Sequence, residues 1–136
     1  MFDIKSLAIQ ESTVLHLLHP VDGYPLFADE DEKEPVTVTV ASTSSRAYRT
    51  AVNAMHNRTL KRGKKQLTLD EQRDEGVELL TACCITSENL VYDGKPVKSA
   101  GDFRKLLADD SFAWLNRQVD EALGNVGLFI EKSLTA

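Results

Sequence analysis

Cysteine is scarce in this chain: only Cys83 and Cys84 occur, and they are sequence neighbours whose direct pairing would be strained. A disulfide framework is thereby excluded, and both thiols read as small buried apolar residues of a reducing compartment. Long apolar runs are missing too, since nothing approaches the roughly eighteen residues that a membrane-spanning helix needs. The opening MFDIKSLAI mixes acidic and polar residues with apolar ones and shows no small-residue cleavage site, so no signal peptide is expected. The expectation is a soluble intracellular protein. Absent as well are GxSxG, HExxH and any phosphate-cradling glycine loop; the seven glycines fall mostly at turns and helix ends. The last absence is local, for between Pro35 and Leu69 there is no acidic residue at all.

What is present suits one folded domain over residues 1–136. Hydrophobic residues make up 42% and charged residues 27%, the balance of a chain that builds a core. At this length folding buries roughly two-thirds of the surface of the unfolded chain, so no metal or disulfide staple is needed. The net charge of −5 is uneven. Residues 1–68 carry nine Lys/Arg against eight Asp/Glu, whereas residues 69–136 carry seven against thirteen. The acid-free window holds Arg46, Arg49, Arg58, Lys61, Arg62, Lys64 and Lys65.

The pattern predicts an α+β fold, with a small antiparallel N-terminal sheet of about three strands (residues 1–41) followed by about four helices (residues 42–136). Thr13–His19 alternates, and its Leu15, Leu17, His19 face opposes Val14, His16, Leu18. Pro20-Val21-Asp22-Gly23 reads as a turn, Tyr24–Phe27 as a short return strand, and Asp29–Glu34 as a solvated acidic loop. Val36–Ala41 (VTVTVA) alternates most cleanly, with valines to the core. Serines at 42–45 offer N-caps for a helix ending at Arg62 before Gly63, with the stripe Tyr48, Ala51, Val52, Met55 and Thr59. Thr68 and Glu71 form a capping box opening a helix expected to run through the continuously apolar VELLTACCI, Val77–Ile85, as the central element. Asp93-Gly94 marks a hairpin. Ser99 with Asp102 then starts a short helix carrying Phe103, Leu106 and Leu107. Asp109-Asp110 caps another with the stripe Phe112, Leu115, Val119 and Ala122, closed by Gly124, and Leu128-Phe129-Ile130 begins a helical tail.

Residues that could carry chemistry each have a plainer reading. His16 and His19 fall on opposite faces of a strand and His56 stands apart, so the three histidines do not make a metal site. Cys83 and Cys84 sit in an apolar run rather than the accessible, electropositive niche of a reactive thiol. Asp70-Glu71 and Asp109-Asp110 are carboxylate pairs already explained by capping. No catalytic, cofactor-binding or metal-binding residue is assigned, and no enzyme is expected. The cations Arg46, Arg49, Lys61, Arg62, Lys64 and Lys65 remain as an interaction surface. They could in principle meet phosphates, but the acidic overall charge and the lack of interleaved aromatics argue against nucleic acid.

Taken in order, LHLLHPVDGYPLF, VTVTVASTSSRAYRTAVNAMHNRTLKR, LLTACCITSENLVYDGKPV, SAGDFRKLLADDSFAWLNRQVDEAL and VGLFI resemble the tail assembly chaperones of long-tailed phages over nearly the whole chain. Some relatives carry an aromatic just after the apolar helix, where this chain has Ser87 or Glu88. The resemblance implies a non-enzymatic protein of the infected host cytoplasm, absent from the mature virion. It implies binding to the tape measure protein before tail tube protein polymerises around it, and self-association, here through basic residues of one copy meeting acidic residues of the next. No cofactor and no small-molecule substrate is implied. The alternatives are another tail or neck structural protein, or a small nucleic-acid-associated regulator using residues 46–65.

Overall fold

Alternating valines and threonines put β2 (Thr37–Ala41) at the centre of a three-stranded antiparallel sheet, with β1 (Ser12–His16) on one side and β3 (Cys84–Glu88) on the other. The computed structural model describes residues 1–130. Val36, Val38 and Val40 are buried while Thr37 and Thr39 are only partly covered, as alternation on a one-faced sheet requires. In β1 Leu15 packs on the core while Val14 faces outward, and just past it Leu17 is buried while Leu18 is exposed. With four helices beside the sheet, the architecture is α+β. Among the described residues no helix is long and apolar enough to cross a membrane.

The third strand is not the expected one. Tyr24–Phe27 forms only isolated bridges, Leu18 with Pro25 and Phe27 with Pro35. Leu26 donates its N–H to Leu17 O at 2.9 Å and accepts from Val36 N at 3.0 Å. Pro25 and Pro35 bring no N–H to a ladder, so this ribbon stays a short extension of the sheet. The place beside β2 goes to the end of the apolar run. Helix α2 (Leu69–Cys83) opens on the expected capping box, Thr68 Oγ1 accepting from Glu71 N at 3.1 Å and Glu71 Oε1 from Thr68 N at 3.2 Å. It stops at Cys83, because Cys84 turns extended (φ −88°, ψ 114°) and begins β3. Cys-Cys-Ile-Thr is weak helix-forming sequence and suits a strand, and a fully apolar run has no period to announce the change. Pairing Val40 with Cys84 but Thr39 with Thr86 leaves Ile85 as an extra, half-exposed residue. That bulge lets Cys84 and Ser87, three apart, both face the core.

The remaining elements follow the sequence more closely. The hairpin β4 (Val91–Tyr92) and β5 (Lys95–Pro96) turns on Asp93 and Gly94, both at positive φ. Helix α3 (Ala100–Ala108) starts on a Ser99–Asp102 capping box and buries Phe103, Leu106 and Leu107. Asp109 caps a 3-10 turn (Asp110–Phe112) that leads into α4 (Ala113–Leu123), which buries Leu115, Val119, Ala122 and Leu123. Helix α2 packs on α1 (Arg46–Arg62), α3 and α4. On α4, Gln118 accepts from Leu18 N at 2.9 Å and donates to Leu18 O at 2.8 Å, satisfying backbone just past β1. The expected tail helix is a 3-10 turn (Val126–Phe129) that buries Phe129 before Ile130 bridges to Ile9; its continuation lies outside the described residues.

Candidate interaction surface

Helix α1 forms as its sequence directs: Ser45 Oγ accepts from Tyr48 N at 3.2 Å, and Gly63 at φ +66° ends it. Yet none of its seventeen residues is buried. Its contact face is rotated from the expected stripe, because Val52 and Thr59 are exposed while Tyr48, Ala51, Met55, Arg58 and Arg62 are half-covered. The reason lies across the seam, where α2 presents Glu75 and Glu78. Arg58 donates two hydrogen bonds to Glu78 at 3.2 and 3.0 Å and lies 3.9 Å from Glu75; Arg62 lies 4.0 Å from Glu75. The arginine stems seat on α2 with their heads on these carboxylates, so the contact face of α1 combines Tyr48, which packs on the core, with the ion pairs of Arg58 and Arg62.

The six singled-out cations do not form one patch. Arg46 and Arg49 stand in the first turn of α1 and Lys61 and Arg62 in the last, about 22 Å apart at 1.5 Å per residue, with Lys64 and Lys65 just beyond. Arg62 is also engaged within the chain, its Nε donating to Lys65 O at 2.9 Å. At the C-terminal end, cations complement the helix dipole. Arg46 and Arg49 do the opposite: they crowd the positive end of a helix that has no acid in its first turn, at a cost of about 0.3–1 kcal/mol for each exposed charge.

Beside that end lies a feature that sequence reading missed. An open groove of about 620 Å³ runs between α1 and α3 along α2. Helix α1 lines it with Ala47, Thr50, Ala51 and Ala54, α2 with Thr81 and Ala82, and α3 with Ala100. Its charged rim is Arg46, Arg104 and Glu78. Glu78 is matched by Arg58, while among the described residues neither Arg46 nor Arg104 enters an ion pair. The alanine spacing in α1 was visible in sequence; what brings Ala82, Ala100 and Arg104 opposite it is tertiary.

Most of the other candidate groups are committed to the fold. Burial pushes the Cys83 thiol up to about 11 and Cys84 to about 12, so both are neutral at physiological pH and poor nucleophiles. His16 Nε2 donates to Leu26 O at 2.7 Å, and His19 Nδ1 accepts from the N–H groups of Val21 and Asp22, ordering the turn. His56 is exposed on α1. Among the described residues no three His, Cys, Asp or Glu side chains gather as a metal would require. Asp109 accepts from Ser111 N at 3.0 Å and from Tyr92 Oη at 2.8 Å, which hold its carboxyl below the usual range. Glu71 is lowered by its hydrogen bonds with Thr68. Glu71 and Asp109 are therefore occupied in caps and Asp110 is paired with Arg73, while Asp70 stands exposed in the first turn of α2, where an acid suits the helix dipole.

The surface beside α1 thus combines a helix with no fully buried residue, an apolar groove and, among the described residues, two arginines outside any ion pair. No protein-family model, no curated protein and no solved structure matches this chain.

Proposed function

We propose that this protein is a non-enzymatic tail assembly chaperone of a long-tailed phage. It acts in the host cytoplasm, where it binds the tape measure protein until tail tube protein assembles around it. The reading starts from the ordered resemblance along nearly the whole chain. The structural observation that supports it best is α1, a seventeen-residue helix with no buried side chain beside an open alanine-lined groove. A helix of that length is marginal on its own in water, so one left half-packed has a face to offer a partner. Holding a long helical client calls for many copies of such a modest surface, and repeated weak contacts along one chain add up to firm retention. The nucleic-acid alternative needs the cations of residues 46–65 to act together. They are split between two ends of α1, and Arg58 and Arg62 are matched by Glu75 and Glu78.

Co-expression with the tape measure protein of the same phage tests the proposal. The expected result is a soluble complex containing several copies of this chain per tape measure chain, where the tape measure protein alone is insoluble. If its solubility is unchanged and the two separate on size exclusion, the proposal fails.

A further inference from the structure

We propose that the groove between α1 and α3 is a docking site for an amphipathic helix of a partner protein, with acidic residues flanking the partner's apolar stripe. The inference rests on the proposed function only for the identity of the protein that carries this helix. Four observations converge. The walls are helical and the lining side chains are small: Ala47, Ala51, Ala54, Ala82 and Ala100. Alanines at a helix contact allow the axes to approach at the short end of the 8–10 Å range, so a third helix fits better than an irregular loop. Second, α1 lacks any buried residue, and a helix laid against Ala47, Thr50 and Ala54 would supply the packing it is missing. Third, the lining stretch from Arg46 to Ala54 spans about 12 Å, matching two to three turns of an incoming helix.

The fourth observation fixes the partner's charge. With Glu78 matched by Arg58, the uncompensated rim charge is Arg46 and Arg104, one on each wall. Arg46 and Arg49 also stand against the positive end of the α1 dipole, an arrangement that an incoming carboxylate relieves. A carboxylate beside Arg46 and another beside Arg104 would flank the apolar stripe, whereas a basic or phosphate-lacking neutral helix would leave both arginines unmatched.

The probe is a fluorescent synthetic helix of about 18 residues, long enough to be helical, with an Ala/Leu stripe flanked by Glu, beside a twin carrying Lys at the Glu positions. Fluorescence anisotropy with the full chain at low salt is expected to show the Glu peptide binding at least about tenfold more tightly than the Lys twin. Ala54→Trp fills the groove from an exposed position, so the fold should survive, as circular dichroism would verify; it is expected to weaken the Glu peptide by about tenfold or more. Arg46→Glu with Arg104→Glu is expected to reverse the preference between the twins. Failure of the Glu peptide to bind, equal affinity for the two, or an unchanged affinity in Ala54→Trp would overturn the inference. So would self-association or oligonucleotide binding that Ala54→Trp abolishes, since a second copy or a nucleic acid would then be the occupant. Binding of the Glu peptide alongside failure of the co-expression test keeps the groove and removes the tape measure protein as its client. Tape measure protein kept soluble equally well by Ala54→Trp and by the double charge reversal keeps the chaperone and removes the groove.

Discussion

Because α1 has no fully buried residue, it should open on its own, well before the rest of the protein unfolds. Tyr48, Ala51 and Met55 are only half-covered, and the seam is completed by Arg58 and Glu78, whose side chains are each 41% exposed. Such a helix belongs near the low end of the local-opening range, at about 1–3 kcal/mol, which slows exchange of its amides by roughly 5- to 150-fold. Amides of α2 and α3, enclosed around Val77, Leu80 and Phe103, should instead exchange only through global unfolding, with protection of thousands-fold or more. Arg58→Ala removes a solvent-screened pair worth about 0.2–1 kcal/mol, so α1 should exchange roughly 1.4–5 times faster. Hydrogen exchange read by mass spectrometry resolves the elements. The α2 and α3 peptides should change much less than α1. Protection of α1 equal to that of α2, with Arg58→Ala speeding both alike, would show that α1 is part of the global unit and refute the reasoning.

Leu115 is 3% exposed on α4, so Leu115→Ala should cost about 2–5 kcal/mol and lower the urea midpoint by about 1–3 M; an unchanged midpoint would mean the side chain is not enclosed. Cys83 and Cys84 should react with a thiol reagent only once denaturant is added, and rapid labelling of native protein would contradict their burial. Asp102 and Asp109, held below the usual carboxylate range chiefly by backbone N–H donors, contribute stability that is present at neutral pH and lost as pH falls through and below about 4. Melting followed by circular dichroism should show that loss, to a smaller degree in Asp102→Asn with Asp109→Asn, and identical acid profiles would contradict it.

Where a local rule decides the structure, the sequence was readable. The capping boxes at Thr68 and Ser99, the Asp93-Gly94 turn and the alternation of Val36 to Ala41 each act over a few residues, and each stands where expected. The helix-to-strand change at Cys84 was hidden because a continuously apolar run carries neither a 3.6- nor a 2-residue period, and the bulge at Ile85 breaks strand parity as well. The rotation of α1 escaped because Arg58 and Arg62 look like solvent residues until Glu75 and Glu78 are known to face them. The split of the cations between the two ends of α1, by contrast, follows from the helix length that the caps at residues 42–45 and Gly63 already indicated. Arg104 was passed over because its neighbours in the groove come from two other helices.

Quantitative mass spectrometry of infected cells and of purified phage particles tests the assembly-chaperone reading most directly. The account predicts this chain in the lysate, co-sedimenting with tape measure protein not yet enclosed by tube, and its absence from finished particles. Its retention in finished particles at a fixed ratio to tail tube protein would contradict the account and make it a structural part of the tail.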